Sequence, residues 1–174
     1  MRESERQRIL VVDDSAETRE VLERNLRARG YVVLTASSVA EAVELLGESS
    51  IHLVITDLRM PGVSGLDLVR HVSSNYRNTE IIMITGYASI QGAVDAVKTG
   101  AVEYLPKPFT DDELLGAVER ALERLRLRSA GRMARLGAWN EYGIIGRSPA
   151  LDDVLRAIPK AASNSATVLI TGES

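Results

Sequence analysis

Ile9-Leu10-Val11-Val12-Asp13-Asp14-Ser15 is the stretch whose reading decides the fold. Four consecutive apolar residues, three of them β-branched, suit a strand buried on both faces rather than a strand with one wet side. The run ends abruptly in two carboxylates, and Ser15 then reads as the N-cap of a helix. Val21, Leu22 and Leu26 recur at helical spacing behind it, and Gly30 supplies the stop.

The same unit repeats four more times. Tyr31 to Leu34 is the second expected strand, and Ser38 caps a helix carrying Ala42, Val43, Leu45 and Leu46. Ile51 to Ile55 is the third strand and delivers Thr56-Asp57 to its carboxyl end. Pro61-Gly62 turns the chain, and Leu66, Val69 and Val72 give the next helix an apolar face. Ile81 to Ile84 ends at Thr85-Gly86. Ala93, Val94 and Val97 mark a fourth helix that stops at Gly100. Val102 to Leu105 runs into Pro106-Lys107-Pro108, where no helix can continue, and Asp111 opens a fifth helix with Leu114, Leu115, Val118, Leu122 and Leu125. Strict β-α alternation means an α/β doubly wound parallel sheet with right-handed crossovers. Ligands of such sheets lie beyond the carboxyl ends of the strands. The residues placed there are Asp13, Asp14, Asp57, Thr85 and Lys107, all polar.

Composition narrows the chemistry. The chain has 174 residues, 45% hydrophobic and 26% charged, with a formal net charge of -3. That is ordinary globular composition, and charge alone does not make the surface a nucleic-acid or membrane binder. Cysteine is absent and only His52 and His71 are available, which excludes disulfides, thiolate sites and His-based metal clusters. His52 reads as a core or edge residue, His71 as a helix-surface one, and neither as a phosphocarrier. With no apolar run of membrane-spanning length and a charged Met1 to Arg8 instead of a signal peptide, a cytoplasmic protein is expected.

Three carboxylates converging at neighbouring strand ends repel one another unless a cation intervenes. Oxygen-only ligands suit Mg2+, which bridges to phosphate oxygens. A carboxylate beside that ion can attack an activated phosphoryl group, with Lys107 neutralising phosphoryl oxygens and Thr85 donating a hydrogen bond. A lone aspartate at a strand end is usually a cap or turn residue. Charged groups gathered at four strand ends of one sheet are a cost without a cation, so the bland reading does not cover all of them.

Together Val12-Asp13-Asp14, Asp57-Leu58-Arg59-Met60-Pro61-Gly62, Thr85-Gly86 and Lys107-Pro108-Phe109 resemble the receiver domain of two-component response regulators, over roughly Arg8 to Leu125. The resemblance implies a (βα)5 flavodoxin-like sheet in strand order 2-1-3-4-5. It implies that Asp57 takes phosphate from a sensor histidine kinase. Asp14 and Asp57 would ligate Mg2+ directly, helped by the Arg59 backbone carbonyl, with Asp13 acting mainly through water. Lys107 would contact the phosphate, and Thr85 and Tyr104 would form the switch pair. Arg59 and Tyr87 sit where the family tunes phosphate lifetime, and the Lys107-Pro108 bond is often cis there.

The tail, with Gly143-Ile-Ile-Gly146, Ser148-Pro149 and Val168 to Ser174, resembles the start of the AAA+ domain of sigma-54-dependent transcription activators. The expected division is a receiver at 1–125, a helical linker at 126–142, and a truncated AAA+ start at 143–174. A short helix is expected over Ala150 to Ile158 and a strand over Thr167 to Thr171. The chain stops before the lysine of the P-loop, so no ATP hydrolysis is expected of it. In the parent protein, domains beyond this chain would contact sigma-54 RNA polymerase and DNA.

Leu115, Val118, Leu122 and Leu125 also have the spacing of a coiled-coil seam, which decays at Ser129, Arg132 and Leu136. Homodimerisation through helix five and the linker is expected on that ground. The bland alternative is that these residues pack on the receiver's own sheet. Arg120, Arg124, Arg126, Arg128, Arg132 and Arg135 crowd the same stretch. With Glu119 and Glu123 among them, they read as a solvated face, not a nucleic-acid contact. Trp139 and Tyr142 read as docking the linker on the next domain. The rival function is a small flavodoxin-like nucleotide-binding enzyme. It needs a glycine-rich loop after the first strand, where this chain has Asp13-Asp14-Ser15.

Overall fold

The computed structural model describes residues 7–86 and 90–140, together with Leu151, Val154, Ile158 and Ala162. Five strands alternate with five helices: β1 Arg8–Val12, α1 Ala16–Ala28, β2 Val32–Ala36, α2 Val39–Glu48, β3 Leu53–Asp57, α3 Gly65–Asn75, β4 Glu80–Thr85, α4 Ile90–Thr99, β5 Glu103–Pro106 and α5 Asp111–Asn140. All the strand pairings are parallel, and the sheet order is β2-β1-β3-β4-β5. This is the expected doubly wound sheet. The chain forms two compact units, Met1–Gly131 and Arg132–Ser174.

Period-two alternation along each strand splits the apolar side chains between two cores. Ile9, Val11, Leu53, Ile55, Ile82 and Ile84 meet Leu22 and Leu26 of α1 and Leu114, Val118 and Leu122 of α5. Leu10, Val12, Val54, Ile81 and Met83 meet Ala42 and Leu46 of α2, Leu68, Val69 and Val72 of α3, and Ala96 of α4. The continuous run Ile9 to Val12 is 0% exposed throughout, because each face of its strand has its own layer of helices.

Strand limits differ from the expected ones in one informative way. β2, β3 and β5 each run one or two residues further toward the carboxyl end than their apolar runs. Parallel pairing continues past the last apolar residue, so Thr56 and Asp57 are still in register with Met83 and Ile84. Helix starts follow hydroxyl caps. The Oγ of Ser15 accepts from Thr18 N and that of Ser38 from Glu41 N, both at 3.3 Å. Ser64 caps α3, and Thr110 with Glu113 forms a reciprocal capping box before α5. Gly30 and Gly100 adopt φ of 88° and 125° past the ends of α1 and α4, a region that L side chains avoid. The Lys107-Pro108 bond is cis.

Three apolar residues assigned to helix faces by spacing lie outside the cores. Val21 is 41% exposed, Val94 39% and Val97 57%. The inward positions are Leu22 and Leu26 on α1 and Ala96 on α4. On α3, Leu68 is fully buried where Leu66 is half-buried.

The fifth helix lies along its own sheet. Leu115, Val118, Leu122 and Leu125 are 0–7% exposed within the unit, and three of them belong to the core shared with β1, β3 and β4. The seam spacing is therefore the spacing of a helix lying on its own sheet. Arg120, Arg124, Arg126 and Arg128 are exposed, as expected of a solvated face, and three of them also make contacts. Arg120 grips Glu103 of β5 through Nε and Nη2 at 3.1 and 2.7 Å. The Gln7 amide oxygen, turned toward α5, accepts from Arg126 at 3.2 Å. Arg128 donates to the Arg77 carbonyl at 2.6 Å and lies 3.0 Å from Glu80 Oε1. In the second unit, Leu151, Val154 and Ile158 are helical, with Val154 exposed. The expected strand at Thr167 to Thr171, and Tyr142 and Gly143-Ile-Ile-Gly146, lie outside the described residues, as does the side chain of Trp139. No helix among the described residues is long and apolar enough to cross a membrane.

Glu80 stands out at the amino end of β4. It is 3% exposed, and Oε1 faces Arg128 off hydrogen-bond geometry, without a hydrogen-bond partner among the described residues. Burial pushes its carboxyl above the ordinary value of 4.5, against the opposing pull of Arg128 and Arg124. The folded chain therefore holds a proton that the unfolded chain releases, and stability falls as pH rises through that window. Glu80→Gln should raise the unfolding free energy at pH 7 by about 1 kcal/mol. Urea titrations should show this gain shrinking as pH falls toward the ordinary carboxylate value of 4.5, with no further change below it. A loss of stability at pH 7 would contradict it.

Candidate functional site

The carboxyl ends of β1, β3, β4 and β5 face one small region. Asp13 follows β1, and its N–H extends the ladder by donating to Ala36 O at 3.2 Å. Asp57 is the last residue of β3, the strand beside β1. Lys107 follows β5, its N–H donating to Thr85 O at 2.7 Å. From there its side chain reaches past the end of β4. Lys107 Nζ donates to Asp13 Oδ2 at 2.8 Å and to Asp57 Oδ1 at 3.0 Å. Groups 94 and 50 residues apart in sequence thus share one ammonium.

Each remaining carboxylate oxygen also has a donor. Ser15 N donates to Asp13 Oδ1 at 2.9 Å, and Arg59 N donates to Asp57 Oδ2 at 2.6 Å. Side-chain exposures of 2% for Asp13 and 10% for Asp57 leave little solvent to screen them. Burial alone would lower the Lys107 pKa, but the hydrogen bonds and charges of Asp13 and Asp57 outweigh it and the net shift is upward. The lysine is a fixed cation at neutral pH.

Asp14 does not complete the expected trio. It is exposed, and among the described residues no three acidic or histidine side chains stand together closely enough to hold a metal ion. The local reason is the loop after β1. Arg19 Nη1, one turn into α1, donates to the carbonyls of both Asp13 and Asp14, while the Asp13 side chain closes on Ser15 N. The pair of backbones is clamped, with the Asp13 side chain buried and that of Asp14 exposed. The donor chemistry still fits a hard cation. Asp13 and Asp57 already converge on one positive group through oxygen alone.

Thr85 is fully buried at the end of β4. Tyr104, on β5, is half-buried against the core under α2, α3 and α4. Arg59 is exposed, and Tyr87 lies outside the described residues. His52 caps the amino end of the sheet, accepting from Arg8 N at 3.1 Å, and burial lowers its pKa. His71, on α3, stacks at a tilt against Tyr76 with ring centroids 5.8 Å apart. Neither histidine is at the site. Sequence reasoning missed Arg19, whose charge is one of many, and Gly65, whose importance lies in an atom it lacks. The rival reading as a nucleotide-binding enzyme finds no phosphate loop, since Asp13-Asp14-Ser15 is committed to an acidic turn.

Residues 9–119 match the family described as the response regulator receiver domain. The chain is 37% identical over 166 residues to the DNA-binding transcriptional regulator NtrC of Escherichia coli K12, covering 95% of this chain and 35% of that protein. It thus spans about a third of the length of this relative. Among solved structures, it resembles a response regulator receiver domain protein from Clostridium thermocellum, with a TM-score of 0.66 and 37% identity over 70% of this chain and 98% of that one. It also resembles the Thermotoga maritima response regulator TrrA, solved in complex with Mg(2+)-BeF, with a TM-score of 0.61 and 35% identity over 67% and 99%. The sheet order, the Asp13–Lys107–Asp57 cluster and these likenesses agree: the chain belongs to the response regulator receiver domain family.

Proposed function

We propose that Asp57 accepts a phosphoryl group from the phosphohistidine of a sensor histidine kinase and that the receiver passes this state on through α4, β5 and α5. The observation that carries the reading is the ammonium shared by Asp13 and Asp57. It stands 3.0 Å from the acceptor oxygen and sits where phosphoryl charge will develop. In the transfer, an Asp57 oxygen forms a bond to phosphorus as the bond from phosphorus to the imidazole nitrogen breaks; that electron pair stays on the nitrogen, and the imidazole leaves neutral with the proton its other ring nitrogen already carried. Lys107 moves from the acceptor oxygen to a phosphoryl oxygen, keeping its contact with Asp13. The Thr85 hydroxyl donates to another, and Tyr104 on the adjoining strand follows into the space this opens.

Mg2+, when bound, supplies neutralisation of phosphoryl oxygens. Asp13, Asp14, Asp57 and the Arg59 carbonyl are the residues that would hold it. The Mg2+-bound form of the Thermotoga relative supports this. Asp14 must turn inward from its exposed position to take part.

In the parent protein the output is an AAA+ module working with sigma-54 RNA polymerase and DNA, the residues after 142 being its beginning. The receiver itself acts as a regulatory acceptor. Pairing of two copies through α5 has to use the side away from the sheet, where Leu127 is 66% exposed, because the inner seam is occupied. The test is incubation with acetyl phosphate and Mg2+, read by intact mass. The expected result is a gain of one phosphoryl group per chain, abolished by EDTA and restored by excess Mg2+. Uptake unaffected by chelation would sink the metal assignment, and no uptake at all would sink the reading.

A further inference from the structure

The acceptor's carboxylate is only as well placed as the backbone that carries it, and that backbone touches α3. Gly65, the first residue of α3, is buried. A Cβ built on it would lie 1.9 Å from the Asp57 carbonyl oxygen, 2.9 Å from the Asp57 carbonyl carbon and 3.0 Å from Thr56 Oγ1. The first two are backbone atoms and cannot swing aside like the end of a side chain.

The same residue closes the β3–α3 loop. Gly65 N donates to Leu58 O at 3.1 Å, Ser64 Oγ donates to that same oxygen at 3.2 Å, and Leu58 N donates to Ile84 O on β4 at 3.0 Å. Thr56 Oγ1 donates to the Asp57 carbonyl at 3.1 Å. The loop so closed includes Arg59, whose N–H holds Asp57 Oδ2 at 2.6 Å.

We infer that Gly65 is a positioning residue for phosphoryl transfer: the absence of its side chain sets the Asp57 peptide, and through it the acceptor carboxylate, at its distance from Lys107. The inference rests on Asp57 being the acceptor. A methyl group at this position must push the Asp57 carbonyl away or lift α3. Either movement shifts the carboxylate relative to Lys107 and to the Arg59 N–H. Misplacement of about 1 Å costs roughly 100-fold in rate when positioning dominates the chemistry.

The protein supplies its own control. A Cβ on Gly100 would lie 2.1 Å from Ser73 Oγ, and the residue has φ of +125°. Gly100→Ala therefore carries both a steric conflict and backbone strain, but at the amino end of β5, away from the site. Gly65→Ala and Gly100→Ala are compared with the wild type in thermal unfolding, in the saturating rate of phosphate uptake from acetyl phosphate with Mg2+, and in the 15N signal of the Lys107 ammonium. Both variants are expected to unfold at lower temperature. Below that temperature Gly65→Ala is expected to lose 10–100-fold in rate and to shift the Lys107 signal, while Gly100→Ala keeps both.

A folded Gly65→Ala with wild-type rate and Lys107 signal overturns the inference, as does an equal loss in Gly100→Ala. Ser64→Ala removes the second hydrogen bond to Leu58 O, and with it the cap on Leu66 N, without adding atoms. It decides the matter where Gly65→Ala does not fold: a severalfold fall in rate with a shifted Lys107 signal supports the role, and no change overturns it. Absence of phosphate uptake by the wild type would instead count against Asp57 as acceptor.

Discussion

Asp57→Asn should take up no phosphate from acetyl phosphate at any Mg2+ concentration, and this is the largest effect expected of any single substitution here. The amide has nearly the volume of the carboxylate, so the packing at the end of β3 is kept. What is lost is the nucleophile, because a carboxamide oxygen carries no full charge and its nitrogen no available lone pair. Asp13 is more buried than Asp57 and slightly closer to Lys107, so it is the residue most able to substitute. Its Oδ1, however, is tied to Ser15 N and its backbone is clamped by Arg19. The fold should survive, because the substitution removes one of two buried negative charges that share a single cation. The Lys107 pKa should fall, since one of the groups holding it up is gone. Intact mass before and after treatment is the measurement. A phosphorylated Asp57→Asn chain would transfer the acceptor role elsewhere.

Leu122→Ala should destabilise the receiver unit by about 2–5 kcal/mol, the range for truncating a fully buried leucine. Leu122 is 2% exposed and packs in the same core as Leu22, Ile55 and Ile84. For a unit of this size a loss of 2 kcal/mol lowers the melting temperature by roughly 4–10 °C. The competing reading of Leu115, Val118, Leu122 and Leu125 as a seam between two copies makes a different forecast: the substitution weakens association while the monomer's melting temperature stays put. Thermal unfolding at several protein concentrations, with light scattering on the same samples, separates the two. A concentration-dependent midpoint in the wild type that disappears in Leu122→Ala would restore the seam.

Those four residues show where the sequence was legible and where it was not. Spacing of three and four says only that a helix has an apolar side. It does not say whether a sheet or another helix covers it, and here the length of α5 beyond the sheet made a partner helix look needed. The strands were easier. Ile9 to Val12 and Ile81 to Ile84 are apolar without alternation, which only a sheet covered twice explains. The five β-α units then fixed the order of loops and brought Asp13, Asp57, Thr85 and Lys107 to one end. Asp14 and Asp13 are adjacent in sequence, but Asp13 is buried and Asp14 exposed. Successive residues leaving a strand point different ways, and the Arg19 clamp that settles which one turns in is a contact to carbonyl oxygens, which leave no mark on residue type. Val94 and Val97 misled for a related reason: the inward position of α4 is an alanine.

The anchoring of α5 has a practical meaning for where the receiver can be cut from whatever follows. Ending the chain after Leu125 keeps every core leucine of the helix, yet it discards Arg126 and Arg128 together. Gln7 then loses its partner, and the buried Glu80 is left without its nearest cation. Ending it after Gly131 retains both. Two fragments differing by six residues should therefore differ in how far their acid and neutral melting temperatures diverge, with the shorter one gaining more from protonation.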